Sequence, residues 1–141
     1  MDQITEFFFN HQILSVTFLI LLSLIIMTET NNLTRKFKSL TYIELIKLIN
    51  KEKIIIIDLR KSEDFENGHI INSLNLNLDS IEDKEFNKEQ VVVTYSDVES
   101  DSISAAKEYV KLGHETVYYL QGGIQSWVEN NMPLTGNEKN G

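Results

Sequence analysis

Residues 53–60 read Lys-Ile-Ile-Ile-Ile-Asp-Leu-Arg, KIIIIDLR. Successive side chains of a strand point to opposite faces, so the unbroken run Ile54–Ile57 puts β-branched apolar groups on both. Val91–Val93 repeats the pattern. Strands covered on both faces belong to parallel sheets flanked by helices, which predicts an α/β class with right-handed crossovers.

The flanking segments supply those helices. Thr41 with Glu44 forms a capping box, opening a helix that buries Ile43, Ile46 and Ile49 or their neighbours before Asn50 ends it. Downstream, Ser62–Asn67 reads as a short helix capped by Ser62, Gly68-His69 as a turn, and the alternation Leu74, Leu76, Leu78 as a strand. Asp101–Leu112 is expected to be helical and to stop at Gly113, with His114 on the surface beyond it. Val117–Leu120 is the next strand, and Gly122-Gly123 permits a tight turn into a helix whose apolar face holds Ile124 and Trp127. Pro133 prevents that helix from continuing. In open parallel sheets ligands gather beyond the C-terminal strand ends, which nominates Asp58–Arg60 and the loop Ser96–Asp101.

The first 34 residues differ from the rest. They contain Asp2, Glu6 and Glu29 and no Lys or Arg, for a charge of −3, while 18 acids against 13 bases give −5 to the remainder. Within them Ile13–Met27 is uncharged and apolar, preceded by Phe7, Phe8 and Phe9. Its 15 residues reach about 22 Å as a helix, short of the roughly 30 Å of a bilayer core, unless the span begins near Phe7. A cleaved signal needs a basic start and a small-residue cleavage site, and a buried helix needs a polar face; the segment has neither. The reading is a membrane anchor with its core at 13–28, after a short segment 1–12 and before a juxtamembrane linker 29–37. A domain 38–135 and a polar tail 136–141 follow. Arg35, Lys36, Lys38 and Lys47 flank only the downstream end, so the domain is expected in the cytoplasm and the N-terminus outside the inner membrane, in a single pass. His11 and Gln12 then lie near the outer headgroups.

With 141 residues the chain has room for one such domain, and a net charge of −8 is the wrong sign for nucleic acid. Cysteine is absent, which removes disulfides, thiolate metal sites and every thiol nucleophile. Neither a metal nor a cofactor is expected.

Ile57-Asp58-Leu59-Arg60, Phe65, Gly68-His69-Ile70 and Asn75-Leu76, followed by Gly113, Leu120-x-Gly122-Gly123, Trp127 and Pro133, resemble in order and spacing the pattern of the rhodanese family. The resemblance covers about residues 38–135 and implies a rhodanese-like parallel sheet with helices on both faces. With an anchor in front, the chain resembles the small membrane-anchored, YibN-type rhodanese-domain proteins of gammaproteobacteria. Asp58, Arg60, Gly68, His69, Gly122, Gly123 and Trp127 are expected to serve structure.

The departure lies in the loop. Sulfur-transferring rhodaneses carry a Cys at the strand end and an Arg after four intervening residues, with loop amides cradling the anionic donor. The resemblance puts Ser96 at the Cys position and Asp101 at the Arg position, with Asp97, Val98, Glu99 and Ser100 between and Ser102 retained after. A shift of one residue would place Tyr95 there; neither register supplies a thiol. A hydroxyl cannot hold a persulfide and needs an adjacent base to act as a nucleophile. An anion about 6 Å from one unit charge feels roughly 3 kcal/mol at an effective dielectric of 20, so exchanging Arg for Asp reverses a term of that size. Asp101 is expected instead to accept helix N-terminal amide hydrogen bonds. The expected function is a catalytically inactive, membrane-tethered module that binds or scaffolds proteins, with a sulfurtransferase or Ser96-dependent enzyme as the alternative. Its expected partners are membrane lipid through the anchor and a membrane protein with a basic cytoplasmic face, without a small-molecule substrate.

Overall fold

The computed structural model describes residues 2–33 and 36–136, with side chains described for 3–28 and 36–136. Arg35 and residues 137–141 of the expected tail lie outside the described residues. The chain divides into two units, Met1–Arg35 and Lys36–Gly141.

The larger unit is a five-stranded sheet, β1 (Phe37–Leu40), β2 (Ile55–Asp58), β3 (Ser73–Asn75), β4 (Val92–Tyr95) and β5 (Val117–Leu120), in the order β1-β5-β4-β2-β3. Every neighbouring pair is parallel. Both β-branched runs supply interior strands, and each feeds two cores. Ile55, Ile57, Val92 and Val117 pack with Ala105, Ala106 and Tyr109 of α5 (Glu99–Lys111). Ile56, Val93, Tyr95 and Leu120 pack with Leu45 of α3 (Tyr42–Lys51) and with Ile124 and Trp127 of α6 (Gly123–Glu129). Helix α4 (Ser62–Asn67) joins β2 to β3.

The capping box opens α3 as expected: Thr41 N–H donates to Glu44 Oε2 at 2.8 Å, and Thr41 Oγ1 accepts from Glu44 N–H at 3.3 Å. Leu45 rather than Ile43 fills the core, because Ile43 lies on the outer face, 49% exposed, while Ile46 and Ile49 are half-buried.

Several expectations need correction. The expected linker, 29–37, overlaps the first residue of β1: Phe37 is buried and pairs with Val117. Ser62 does not cap α4: Lys61 holds the cap position, and Ser62 Oγ donates to Asn75 Oδ1 at 3.3 Å. The leucine alternation is a strand only over Ser73–Asn75, since β3 is an edge strand that leaves the sheet after Asn75 and enters a 3₁₀ turn at Leu78–Ser80. Ile81, just beyond, is the fully buried residue of that stretch. His114 is not on the surface. The left-handed Gly113 (φ +95°) turns the chain so that the His114 ring lies edge-on against Tyr109 at 5.4 Å, 4% exposed. Its Nδ1 has no hydrogen-bond partner among the described residues. Burial, reinforced by the charge of Lys88, lowers its pKa against the opposing carbonyl of Gln90.

The smaller unit holds α1 (Asp2–Asn10) and α2 (Gln12–Leu33), so the first residues of the expected linker are helical. A 99° bend separates the two helices at His11, so Phe7–Phe9 do not extend the same rod as Ile13–Met27. Among the described residues no single helix is long and apolar enough to cross a membrane, although the bent pair together has the length and composition.

Removing residues 1–35 leaves β1 whole, and the remainder is expected to unfold in one cooperative transition. Removing residues 1–40 also strips Phe37 and Leu40 from the cores and should cost roughly 3 kcal/mol or more; equal denaturation midpoints for the two truncations would refute this role of β1. His114 yields a second expectation. Its folded pKa lies below the unfolded value near 6.5, so its contribution is complete above that pH and is lost as pH falls, because the unfolded chain then binds the extra proton. Denaturation midpoints of the parent should decline below about pH 6.5 more steeply than those of His114→Phe, and parallel declines would contradict it.

Candidate functional site

The C-terminal end of β2 is organised by a buried ion pair. Asp58 is fully buried; its carboxylate accepts from Arg60 Nη2 at 2.8 Å, from Arg60 Nε at 3.1 and 3.2 Å, and from the Arg60 backbone N–H at 2.9 Å. Arg60 Nη2 also donates to Gly68 O at 2.7 Å, which fastens the end of α4. Burial works against the guanidinium charge, but the hydrogen bonds and charge of Asp58 outweigh it and raise the Arg60 pKa, with a further contribution from the carboxylate of Asp97. Asp97 belongs to the β4–α5 loop, so the loop and the Asp58–Arg60 turn converge.

Two residues whose bonding is not legible in the sequence, Asn75 of the motif and Tyr95 at the end of β4, complete this end of the sheet. Asn75 Nδ2 donates to both Asp58 O and Arg60 O, at 3.1 and 2.8 Å. Tyr95 is fully buried beneath Arg60, its ring centroid 5.9 Å from the guanidinium carbon, and its hydroxyl meets Ser73 Oγ at 3.0 Å and Ile70 N–H at 3.2 Å. Burial, then the charge of Asp58, raises its pKa and keeps it neutral. The signal in sequence was its place at the end of a strand already read as buried.

Ser96 follows directly, 3% exposed, and Asp97, Val98, Glu99 and Ser100 are exposed. The helix starts at Glu99, two residues before the expected Asp101, with Val98 at the cap position. Asp101 therefore lies within the first turn, half-buried, and no capping hydrogen bond to its carboxylate is present among the described residues. The carboxylate that binds a backbone amide is that of Glu99, which accepts from Gly122 N–H at 3.2 Å. Ser102 is fully buried with its hydroxyl unpartnered, while its carbonyl accepts from Thr94 Oγ1 at 2.8 Å.

The glycine turn closes over this loop. Gly122 and Gly123 both have positive φ, +74° and +59°, and Ile124 N–H donates to Ser96 O at 3.2 Å. A Cβ on Gly123 would stand 2.1 Å from Ser96 O, so no side chain fits there. Trp127 is buried and donates from Nε1 to Pro133 O at 2.9 Å. Gly68 is buried against Leu134. His69 stacks on Phe65, centroids 3.8 Å apart, bonds Phe65 O through Nδ1 at 2.8 Å, and pairs its backbone with Thr135.

This arrangement sets chemical limits. Among the described residues no base hydrogen-bonds the Ser96 hydroxyl. His69 is committed to Phe65, and His114 precedes β5, at the opposite end of the sheet from Ser96. Asp97, Glu99 and Asp101 surround the loop with negative charge, while the guanidinium of Arg60 is occupied by Asp58 and Gly68. Among the described residues no group of three or more His, Asp or Glu is placed to hold a metal ion.

Comparison with known proteins agrees with this architecture. A family model described as rhodanese-like domain matches residues 41–130. The uncharacterized protein YibN of Escherichia coli (strain K12) is 32% identical over 139 residues, which cover 95% of this chain and 97% of that one. A thiosulfate sulfurtransferase GlpE of Coxiella burnetii (strain RSA 331 / Henzerling II) is 31% identical over 93 residues, covering 64% and 87%. The crystal structure of the BH2092 protein from Bacillus halodurans matches with a TM-score of 0.63 at 24% identity, covering 81% and 85%, a likeness of fold. The family model spans more than half of the chain, and the relative of 32% identity is matched over nearly its whole length: the chain belongs to the rhodanese-like domain family.

Proposed function

We propose that this chain is a rhodanese-like module without sulfur-transfer chemistry, tethered to the inner membrane by its N-terminal helices, that holds a protein partner through the β4–α5 loop. The observation that carries the reading is Ser96 at the end of β4 in a chain without cysteine, bordered by Asp97, Glu99 and Asp101. A persulfide has no sulfur to form on, and an anionic donor meets carboxylates where it needs cations. Loss of one anion clamp and its replacement by an acid shifts donor binding by several kcal/mol, roughly twice the 3 kcal/mol of a single charge about 6 Å away, before solvent screening.

The apolar Ile13–Met27 segment, followed by Lys36, Lys38 and Lys47, supports a tether with the domain on the cytoplasmic side. The loop supports the binding role. Val98, 53% exposed, stands between two acids, and Glu99 is partly committed to Gly122, which leaves Asp97 and Val98 as the outward contacts. The Asp97 carboxylate beside the exposed Val98 suits a partner with a basic cytoplasmic loop, and confinement of both molecules to one membrane raises their effective concentration, so a weak contact suffices.

Two experiments test these claims. Purified protein should transfer no sulfur from thiosulfate to cyanide, and Ser96→Cys alone should stay near the blank, whereas Ser96→Cys with Asp101→Arg should gain measurable turnover. Activity in the parent would overturn the proposal, and equal rates in the two variants would show that loop charge is not the obstacle. For binding, Asp97→Lys with Val98→Ser spares the Glu99–Gly122 contact, and this variant should lose in-membrane crosslinks that the parent forms. An unchanged crosslink pattern, with membrane attachment retained, would remove the loop from the binding role.

A further inference from the structure

The bend at His11 assigns different membrane positions to the two N-terminal helices. We infer that α1 is an interfacial helix, lying in the plane of the outer leaflet with Phe7 and Phe8 directed into the acyl chains, while α2 alone enters the bilayer. The inference rests on the membrane tether proposed above.

Three observations support it. The first is the angle: helices bent by 99° cannot both run along the membrane normal, so an upright α2 lays α1 flat. The second is the pattern on α1. Ile4, Phe7 and Phe8 recur at the spacing of one helical face, Gln3, Glu6 and Asn10 at that of another, and Phe9 falls on the polar side, 76% exposed. Phe7 and Phe8 line an apolar hollow in the crook of the bend together with Leu14, Ser15 and Phe18, the side on which lipid tails would contact both helices. The third is length. The Ile13–Met27 rod of about 22 Å falls short of a bilayer core of roughly 30 Å. An amphipathic helix sinks about 5–10 Å into the headgroup and acyl boundary, and that depth shortens the distance left for α2 to cover.

Local bonding fits the same placement. On α2, Thr17 Oγ1 and Ser23 Oγ donate to the carbonyls four residues earlier, at 2.8 Å each, and Thr28 Oγ1 to that of Ile25 at 2.8 Å, so these hydroxyls need no water. Ser15 Oγ donates to His11 O at 3.0 Å, alongside the Ser15 N–H to the same oxygen, at the point where the helices part. The described polar face of α1 carries Glu6 and no cation, so the helix fits a zwitterionic lipid surface rather than an anionic one.

The absence of cysteine makes the test direct. The full chain, carrying one of Glu6→Cys, Phe7→Cys, Phe8→Cys, Phe9→Cys or Leu21→Cys, is placed in phosphatidylcholine nanodiscs and treated with a water-soluble maleimide. The Glu6 and Phe9 variants should react about 10-fold faster or more than the Phe7, Phe8 and Leu21 variants. Equally slow labelling at 6 to 9 would mean that α1 continues the span, and equally fast labelling there, with Leu21→Cys still protected, would mean that α1 sits in water; either result overturns the inference and leaves the tether standing. Fast labelling of Leu21→Cys would overturn the tether and this inference with it.

Discussion

The architecture at the C-terminal end of the sheet depends on one constraint: the Asp58 carboxylate has no contact with solvent. An ionised carboxylate in that position has to be paired and hydrogen-bonded, because its desolvation is costly. Arg60 is two residues away, and the chain bends there so that its backbone N–H and guanidinium both meet the carboxylate; the other neighbours are fixed by what remains unbonded. Arg60 reaches Gly68 O and sets the end of α4; Asn75 bonds the carbonyls of Asp58 and Arg60 and holds β3; Leu59 N–H donates to Tyr95 O at 3.0 Å and ties in β4. Such a pair adds little net stability over well-packed apolar groups, but loss of one member leaves a buried charge, at a cost of about 3–5 kcal/mol. Its effect is to specify where four segments meet.

On that foundation the loop after β4 is closed on itself. The carbonyl of Ser96 is bonded by Ile124 N–H and the amide of Gly122 by Glu99, so polar groups at the mouth are bonded within the chain. The loop acids lie at this end, whereas His114 lies buried at the other. The separation keeps His114 away from Ser96, whose end of the sheet has an acidic, partly apolar rim among the described residues.

The sequence made the sheet legible where burial is two-sided, since Ile54–Ile57 and Val91–Val93 have only one reading as strands. It also gave away the α3 capping box and the glycine turn, because each is a local bonding pattern that needs particular residues at fixed spacing. It hid β1, whose Phe-Lys-Ser-Leu pattern follows a polar stretch and belongs to an edge that becomes a strand only by pairing with β5, some 80 residues later. Leu74, Leu76 and Leu78 misled for the reverse reason: a local alternation persists after the edge strand has left the sheet. The site followed the same division. The Asp58–Arg60 pair and the loop follow from their place beyond the C-terminal ends of parallel strands, whereas the contact of Glu99 with Gly122 joins residues 23 apart and depends on where two helices begin.

The approach of Gly123 to the carbonyl of Ser96 separates architecture from reaction. The clash that excludes a Cβ involves a backbone oxygen, which every amino acid at position 96 would present. The demand for glycine is thus indifferent to whether the preceding strand ends in a thiol, a hydroxyl or a methyl group. A chain can exchange its reactive group without disturbing the turn that covers it, and the glycine pair then marks a way of joining a strand to a helix rather than an activity.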